Sequence, residues 1–134
     1  QSAFSEHLEV TMTHVTRVQE ALSALGQAER AKHCKGMEGL IEEGSEILKG
    51  QGEPEALEAG IIGAAQRVEH YEIAAYGTAR AHARQLGYVE AVNLLGKTLA
   101  EEKKADEKLT HIAENEINVQ AAMISSGETM KMKM

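Results

Sequence analysis

The sequence has little with which to build sheets, staples or an aromatic core. Its 134 residues include one proline, one cysteine, one phenylalanine, three tyrosines and no tryptophan. A lone cysteine makes no internal disulfide, which excludes the stapled secreted scaffolds and fits a reducing compartment. Cys34 itself reads as a small buried hydrophobe at a helix start. No apolar run approaches the ~18–20 residues that span a membrane, and no secretory leader is recognisable, so the expected location is the cytoplasm. A basic face is also lacking. With 14 Lys and Arg against 21 Asp and Glu, the formal net charge is -7. That balance speaks against a nucleic-acid binder and suits a soluble protein that attracts cations. There is no Gly-rich phosphate loop ending in Lys-Ser/Thr, no nucleophile elbow and no Cys-x-x-Cys pair. A glycosidase-type carboxylate pair would need a cleft that an aliphatic bundle does not offer.

What is present is helix-forming sequence. Ala, Leu, Glu and Lys dominate, and apolar residues recur at the 3.6-residue period. Residues 2–25 place Phe4, Leu8, Thr11, Val15, Val18, Leu22 and Leu25 on one stripe, with His7 and His14 at its edge. Gly26 is a stop signal. Residues 36–49 form a short helix with Met37, Leu40, Ile41, Ile47 and Leu48 on its apolar side. Gly50, Gly52 and Pro54 mark the next break, and Pro54 fits the first turn of a helix over 55–86. Gly60 and Gly63 within it imply close backbone approach, as of the short helix. Gly87 and Tyr88 make a turn, and residues 89–119 form the last long helix. The expectation is one domain: a bundle over 1–120, then a frayed tail over 121–134 in which Met130, Met132 and Met134 are unstructured rather than a copper site. The fold class is all-α, of the four-helix-bundle type, with three long helices and one short crossover helix. Counted this way the N-terminal long helix is absent, and its place is upstream of Ser2.

Inside the apolar stripes sit two pairs of acids, Glu69 with Glu72 and Glu102 with Asp106. If the chain reverses near Gly87, positions summing to about 174–175 share a height at ~1.5 Å per residue. That pairs Glu72 with Glu102 and Glu69 with Asp106. Four carboxylates at one level of a bundle core cannot all stay ionised unless protonated, paired or bound to a cation. Oxygen-rich sites between facing helices suit iron or manganese, and ferritin-like bundles hold two metal ions this way. His7 and His14 are candidate nitrogen donors. His70 projects to the surface, and His33, His82 and His111 carry no signal. Tyr76 reads as a core aromatic with its hydroxyl bonded to an acid.

Three stretches carry a resemblance: CKGMEGLIEEGSEIL, AAQRVEHYEIAAYGTARAHARQLGY and LLGKTLAEEKKADEKLT. The chain resembles the YciE/YciF family of bacterial ferritin-like stress proteins from its AFSEHLE opening to about Ala113. The resemblance implies a cytoplasmic ferritin-like bundle with a carboxylate di-metal site, associated with general or osmotic stress. It also implies a further long helix bearing a Glu, which this chain lacks. The family's His-Leu-Glu-Glu-Thr motif reads His7-Leu8-Glu9-Val10-Thr11 here, so Val10 replaces a carboxylate. His14 stands where the family has a non-ionisable polar residue.

The expected function is therefore metal or oxidant handling at an iron or manganese site formed by Glu69, Glu72, Glu102, Asp106, His7 and His14. Glu72 and Glu102 are the central ligands in this reading, with redox activity of a ferroxidase or catalase kind left open. The alternative is a non-catalytic helical module that oligomerises, its acids serving only solubility. A homo-oligomer, a dimer first, is expected in either case.

Overall fold

The computed structural model describes residues 2–125. The expected tail beyond them, with Met130, Met132 and Met134, lies outside the described residues. Every element among these residues is helical: α1 (Ser2–Ala24), α2 (Lys35–Lys49), α3 (Pro54–Gln85), α4 (Val89–Ile112), a π-helical turn (Ala113–Ile117) and α5 (Asn118–Ser125). The all-α class and the three-long-plus-one-short pattern match the expectation. The last helix does not. Its α-helical register breaks at the π-turn and then resumes to Ser125.

Two glycines end helices as the punctuation implies. Gly26 and Gly87 hold φ of 65° and 77°, a left-handed backbone that costs a side chain strain. Each sits in a Schellman arrangement, where the next amide bonds back across the helix end. Gln27 N–H donates to Leu22 O and Tyr88 N–H to Ala83 O, both at 2.9 Å.

The chain forms two compact units, and α3 and α4 run through both. The first comprises Gln1–His33 and Glu69–Ala105. Here α1 accompanies the hairpin of α3 and α4 around Gly87. Ala21, Ala83 and Ala91 form its buried centre, backed by Leu25, Val92 and Leu94. Alanines at the contact let helix backbones approach closely. The second comprises Cys34–Val68 and Asp106–Met134. Its core is Ile62, Leu109 and Ala113, with Ala65, Ile112 and Ile117 packed on them. Gly60 is needed there: a Cβ would lie 3.0 Å from Ile47 Cγ2 of α2. Gly63 faces open space, so the close approach expected at both glycines occurs at one.

Three further expectations are corrected. Only part of the Phe4-to-Leu25 stripe of α1, Thr11, Val18, Leu22 and Leu25, is sheltered. Ala21 and His14 are buried, whereas Leu8, Met12 and Val15 are 62%, 66% and 57% exposed. The helix is turned so that the line His7, Val10, His14, Arg17 and Ala21 faces inward. Ile41 and Leu48 of α2 are likewise exposed. Cys34 is exposed and is the N-cap of α2, because the polar connection around it has no core to enter.

Replacing Gly87 or Gly26 with Ala is expected to lower stability by about 1 kcal/mol each. Gly63→Ala, in open space at the middle of α3, is expected to stabilise by a similar amount. Urea unfolding followed by circular dichroism checks the contrast, and equal effects at all three sites would contradict it.

Candidate metal centre

The first unit concentrates the acids and histidines. Residues three apart on a helix share a face, and on α3 this brings Glu69 and Glu72 together. α4 contributes Glu102, and α1 contributes His7 and His14 seven residues apart, two turns along one line. Glu69, Glu102 and His14 are all buried, at 2%, 0% and 2% exposure. Charged groups that lose water need partners.

Those partners form a connected set. His7 Nε2 lies 2.9 Å from Glu69 Oε1. The carboxyls of Glu69 and Glu102 adjoin each other. Glu102 Oε1 is 2.8 Å from His14 Nδ1, although the angle is poor for a hydrogen bond and both atoms count as unsatisfied. His14 Nε2 meets Glu101 Oε2 at 2.8 Å. Arg17 grips Glu101 with both guanidinium nitrogens, Nη1 to Oε2 and Nη2 to Oε1, the latter at 2.9 Å. Arg17 Nη1 also reaches the buried hydroxyl of Thr98 at 3.4 Å.

Electrostatics divide the two central acids. Burial pushes Glu102 up to about 9, and the carboxyls of Glu69 and Glu72 add to the rise. Burial works on Glu69 in the same direction, but contact with His7 and Glu102 outweighs it and holds Glu69 below the usual carboxylate range. Two adjacent carboxyls in a dry site thus share one charge. Glu72 is raised by burial and by Glu69. His7 is raised mainly by its contact with Glu69, against its own desolvation. Burial, then Glu72 and Glu102, push Tyr76 up to about 12. On the outer side, Arg17 holds Glu101 below the usual range.

One ligand atom each from His7, Glu69 and Glu102 lies within 4.8 Å of the others. Glu69 Oε2 and both oxygens of Glu102 are buried without a hydrogen bond. Unsatisfied buried oxygens beside an imidazole fit a divalent cation of the iron or manganese kind. The other expected ligands are placed differently. Glu72 is half-buried and close enough to act on Glu69, Glu102 and His7. His14 Nε2 is engaged by Glu101, while its Nδ1 lies 2.8 Å from Glu102 Oε1 without a hydrogen bond. Asp106 belongs to the second unit, where Gln66 Nε2 donates to it at 3.1 Å and to Thr110 at 2.8 Å. The facing acids are therefore Glu69 and Glu102, not Glu72 with Glu102. Tyr76 packs edge-on against His14 with ring centroids 6.4 Å apart. Its hydroxyl bonds to no acid among the described residues, contrary to expectation. His70 is exposed, as read. Apolar periodicity does not single out Glu101, Arg17 or Thr98. The signal that finds Arg17 is the His7–His14–Ala21 line, on which it lies.

Unfolded, Glu102 titrates like an ordinary carboxylate; folded, it keeps its proton to about 9. Between those values folding takes up a proton, so stability falls as pH rises. Glu102→Gln removes that dependence. The metal-free variant is expected to exceed the wild type by on the order of 2 kcal/mol at pH 8 and by far less at pH 5. Denaturant titrations at the two pH values check this. A variant destabilised equally at both would mean that the carboxyl serves packing alone.

Comparison with known proteins shows the family and agrees with the helical fold. Residues 1–122 match the family described as domain of unknown function DUF892. The chain is 44% identical to Protein YciF of Escherichia coli (strain K12) over 120 residues, covering 89% of this chain and 72% of that one. The crystal structure of the E. coli stress protein YciF superposes with a TM-score of 0.83, over 87% of this chain and 74% of that one. YcfI of Rhodopseudomonas palustris is 38% identical, with a TM-score of 0.79 over 81% and 69%.

Proposed function

The chain belongs to the DUF892 family, the one that its AFSEHLE, VEHYEIAAYG and LAEEKKADEKL stretches resemble, and on that premise we propose that it is a cytoplasmic stress protein that binds iron or manganese. His7, Glu69 and Glu102 would hold the ion, and Glu72 is the extra carboxylate that a second ion would use. The observation that carries this reading is the set of orphaned oxygens on two fully buried glutamates beside an imidazole. A protein gains nothing from burying two acids at one point unless a cation or proton completes them.

When bound, such an ion supplies redox or Lewis-acid chemistry toward small oxidants. The chain's own residues prepare for it. His7 is raised by its contact with Glu69 and Glu102 keeps its proton, so an ion would compete with protons at both. His14 lies against Glu102, and Glu101, itself gripped by Arg17, holds His14 in place. Such outer partners orient a ligand and sharpen its affinity. Tyr76 closes one side of His14 against water.

Anaerobic titration with Fe(II) or Mn(II), read by calorimetry and thermal unfolding, tests the proposal. Metal at 100 times its Kd is expected to stabilise the wild type by ~2.7 kcal/mol. Glu69→Gln and Glu102→Gln are expected to abolish the effect, and Asp106→Asn to keep it. Binding should weaken between pH 8 and pH 5 as His7 and Glu102 hold their protons. If neither metal moves the wild type, the proposal fails.

A second reading rests on a different observation. Leu8, Met12 and Val15, with the partly exposed Phe4, line one outward face of α1, the kind of patch that marks an interface. On this reading the protein is a helical module that self-associates as a dimer and needs no metal. Light scattering on the wild type and on a Leu8→Glu/Met12→Glu variant separates the two, since loss of the dimer with metal uptake intact would assign this face to assembly alone.

A further inference from the structure

A groove of about 640 Å³ opens in the first unit between α3 and α4. Its polar lining is Arg80 from α3 and Asn93, Lys97 and Lys103 from α4. No carboxylate lines it, although the chain carries 21 acids against 14 bases. Three cations gathered where acids are absent repel one another, so the arrangement stores positive potential.

Arg80 is the centre of it. Arg17 and Arg67 each meet a glutamate, whereas Arg80, Lys97 and Lys103 form no ion pair among the described residues. Arg80 Nε is buried and has no hydrogen-bond acceptor. Gly96 holds it there. A Cβ at Gly96 would come within 3.0 Å of Arg80 Nε and 3.6 Å of its Cζ, so the guanidinium lies against the α4 backbone at the one residue without a side chain. Glycine in mid-helix is unfavourable relative to alanine, and no turn or positive φ at Gly96 calls for it. The seat for Arg80 does.

We propose that this groove binds an oxyanion of the phosphate class, free or as the head of a small phosphorylated molecule, between Arg80, Lys97 and Lys103. A guanidinium offers a planar fork to two oxygens, and the ammonium groups add point charges from the flanks. Asn93 adds an amide donor. The volume falls within the range of small-molecule sites, and Val92 and Leu99 give the groove an apolar wall for the body of an organic phosphate. The site stands independently of the metal reading, because none of its residues belongs to the carboxylate cluster.

Calorimetry on the full chain in EDTA, at low and matched ionic strength, tests it with inorganic phosphate, pyrophosphate and glucose 6-phosphate as probes. The wild type is expected to bind at least one with a sub-millimolar Kd. Arg80→Gln is expected to weaken binding at least tenfold, and Arg80→Lys to restore part of it. Gly96→Val, which evicts the guanidinium, should act like Arg80→Gln. Lys49→Gln, outside the groove, should bind as the wild type does. If Arg80→Gln fails to fold, Lys97→Gln/Lys103→Gln at exposed positions carries the test, with the same tenfold loss expected. Tighter binding of glucose 6-phosphate than of phosphate supports the organic ligand, and equal binding supports the free anion. No uptake of any probe at 10 mM, or unchanged binding in the charge-removing variants, overturns the proposal.

Discussion

Two glutamates in contact, both out of water, set the terms for the first unit. Glu69 and Glu102 cannot both be ionised there, and each resolves the conflict differently. Glu69 stays charged because the imidazole of His7 lies 2.9 Å away. Glu102 keeps its proton because burial, and then the carboxyls of Glu69, Glu72 and Glu101, disfavour its charge. The pair therefore carries one charge and one proton between its two carboxyls.

Such contacts need helices that approach closely and do not slide. The alanine centre at Ala21, Ala83 and Ala91 permits the approach. The bonds across Gly87 fix the reversal of α3 into α4, and so set the height at which Glu69 and Glu102 meet. Arg17, bound to Glu101 and Thr98, ties α1 to α4 from the side. A core of larger side chains would separate the helices and leave the acids to water, where they would ionise independently.

The parts legible in the sequence were those set by local rules. Helix ends at Gly26, Pro54 and Gly87 follow from backbone chemistry, and the structure has them. The family was legible because its motifs are long and specific. The rotation of α1 was not. Apolar periodicity rewards Phe4, Leu8 and Val15, yet the face turned inward carries His7, His14 and Arg17. Hydrophobic pattern presumes that the buried face is the apolar one, and a polar site inverts that presumption. The pairing of acids failed for a related reason. Summing positions about Gly87 gives heights along the hairpin but not rotations about each helix, so Glu69 rather than Glu72 meets Glu102, and Asp106 bonds to Gln66 instead.

The same rotation explains how one short segment serves opposite chemistries. Glu101, Glu102 and Lys103 are consecutive, and a helix turns about 100° per residue. Glu101 accordingly meets Arg17 and His14 at the half-exposed edge. Glu102 enters the dry centre, and Lys103 lines the basic groove beside Arg80. A shift of one residue in the phase of α4 would bring Lys103 toward Glu69 in one sense, or Glu102 toward the groove of Arg80 in the other, and either would set opposite charges together. The contacts that hold α4 in phase are the grip of Arg17 on Glu101 and the seat of Arg80 over Gly96, one on either flank of Glu102. Against that simpler pairing, one hairpin keeps its buried acids together on one side and the cations of the groove together on another.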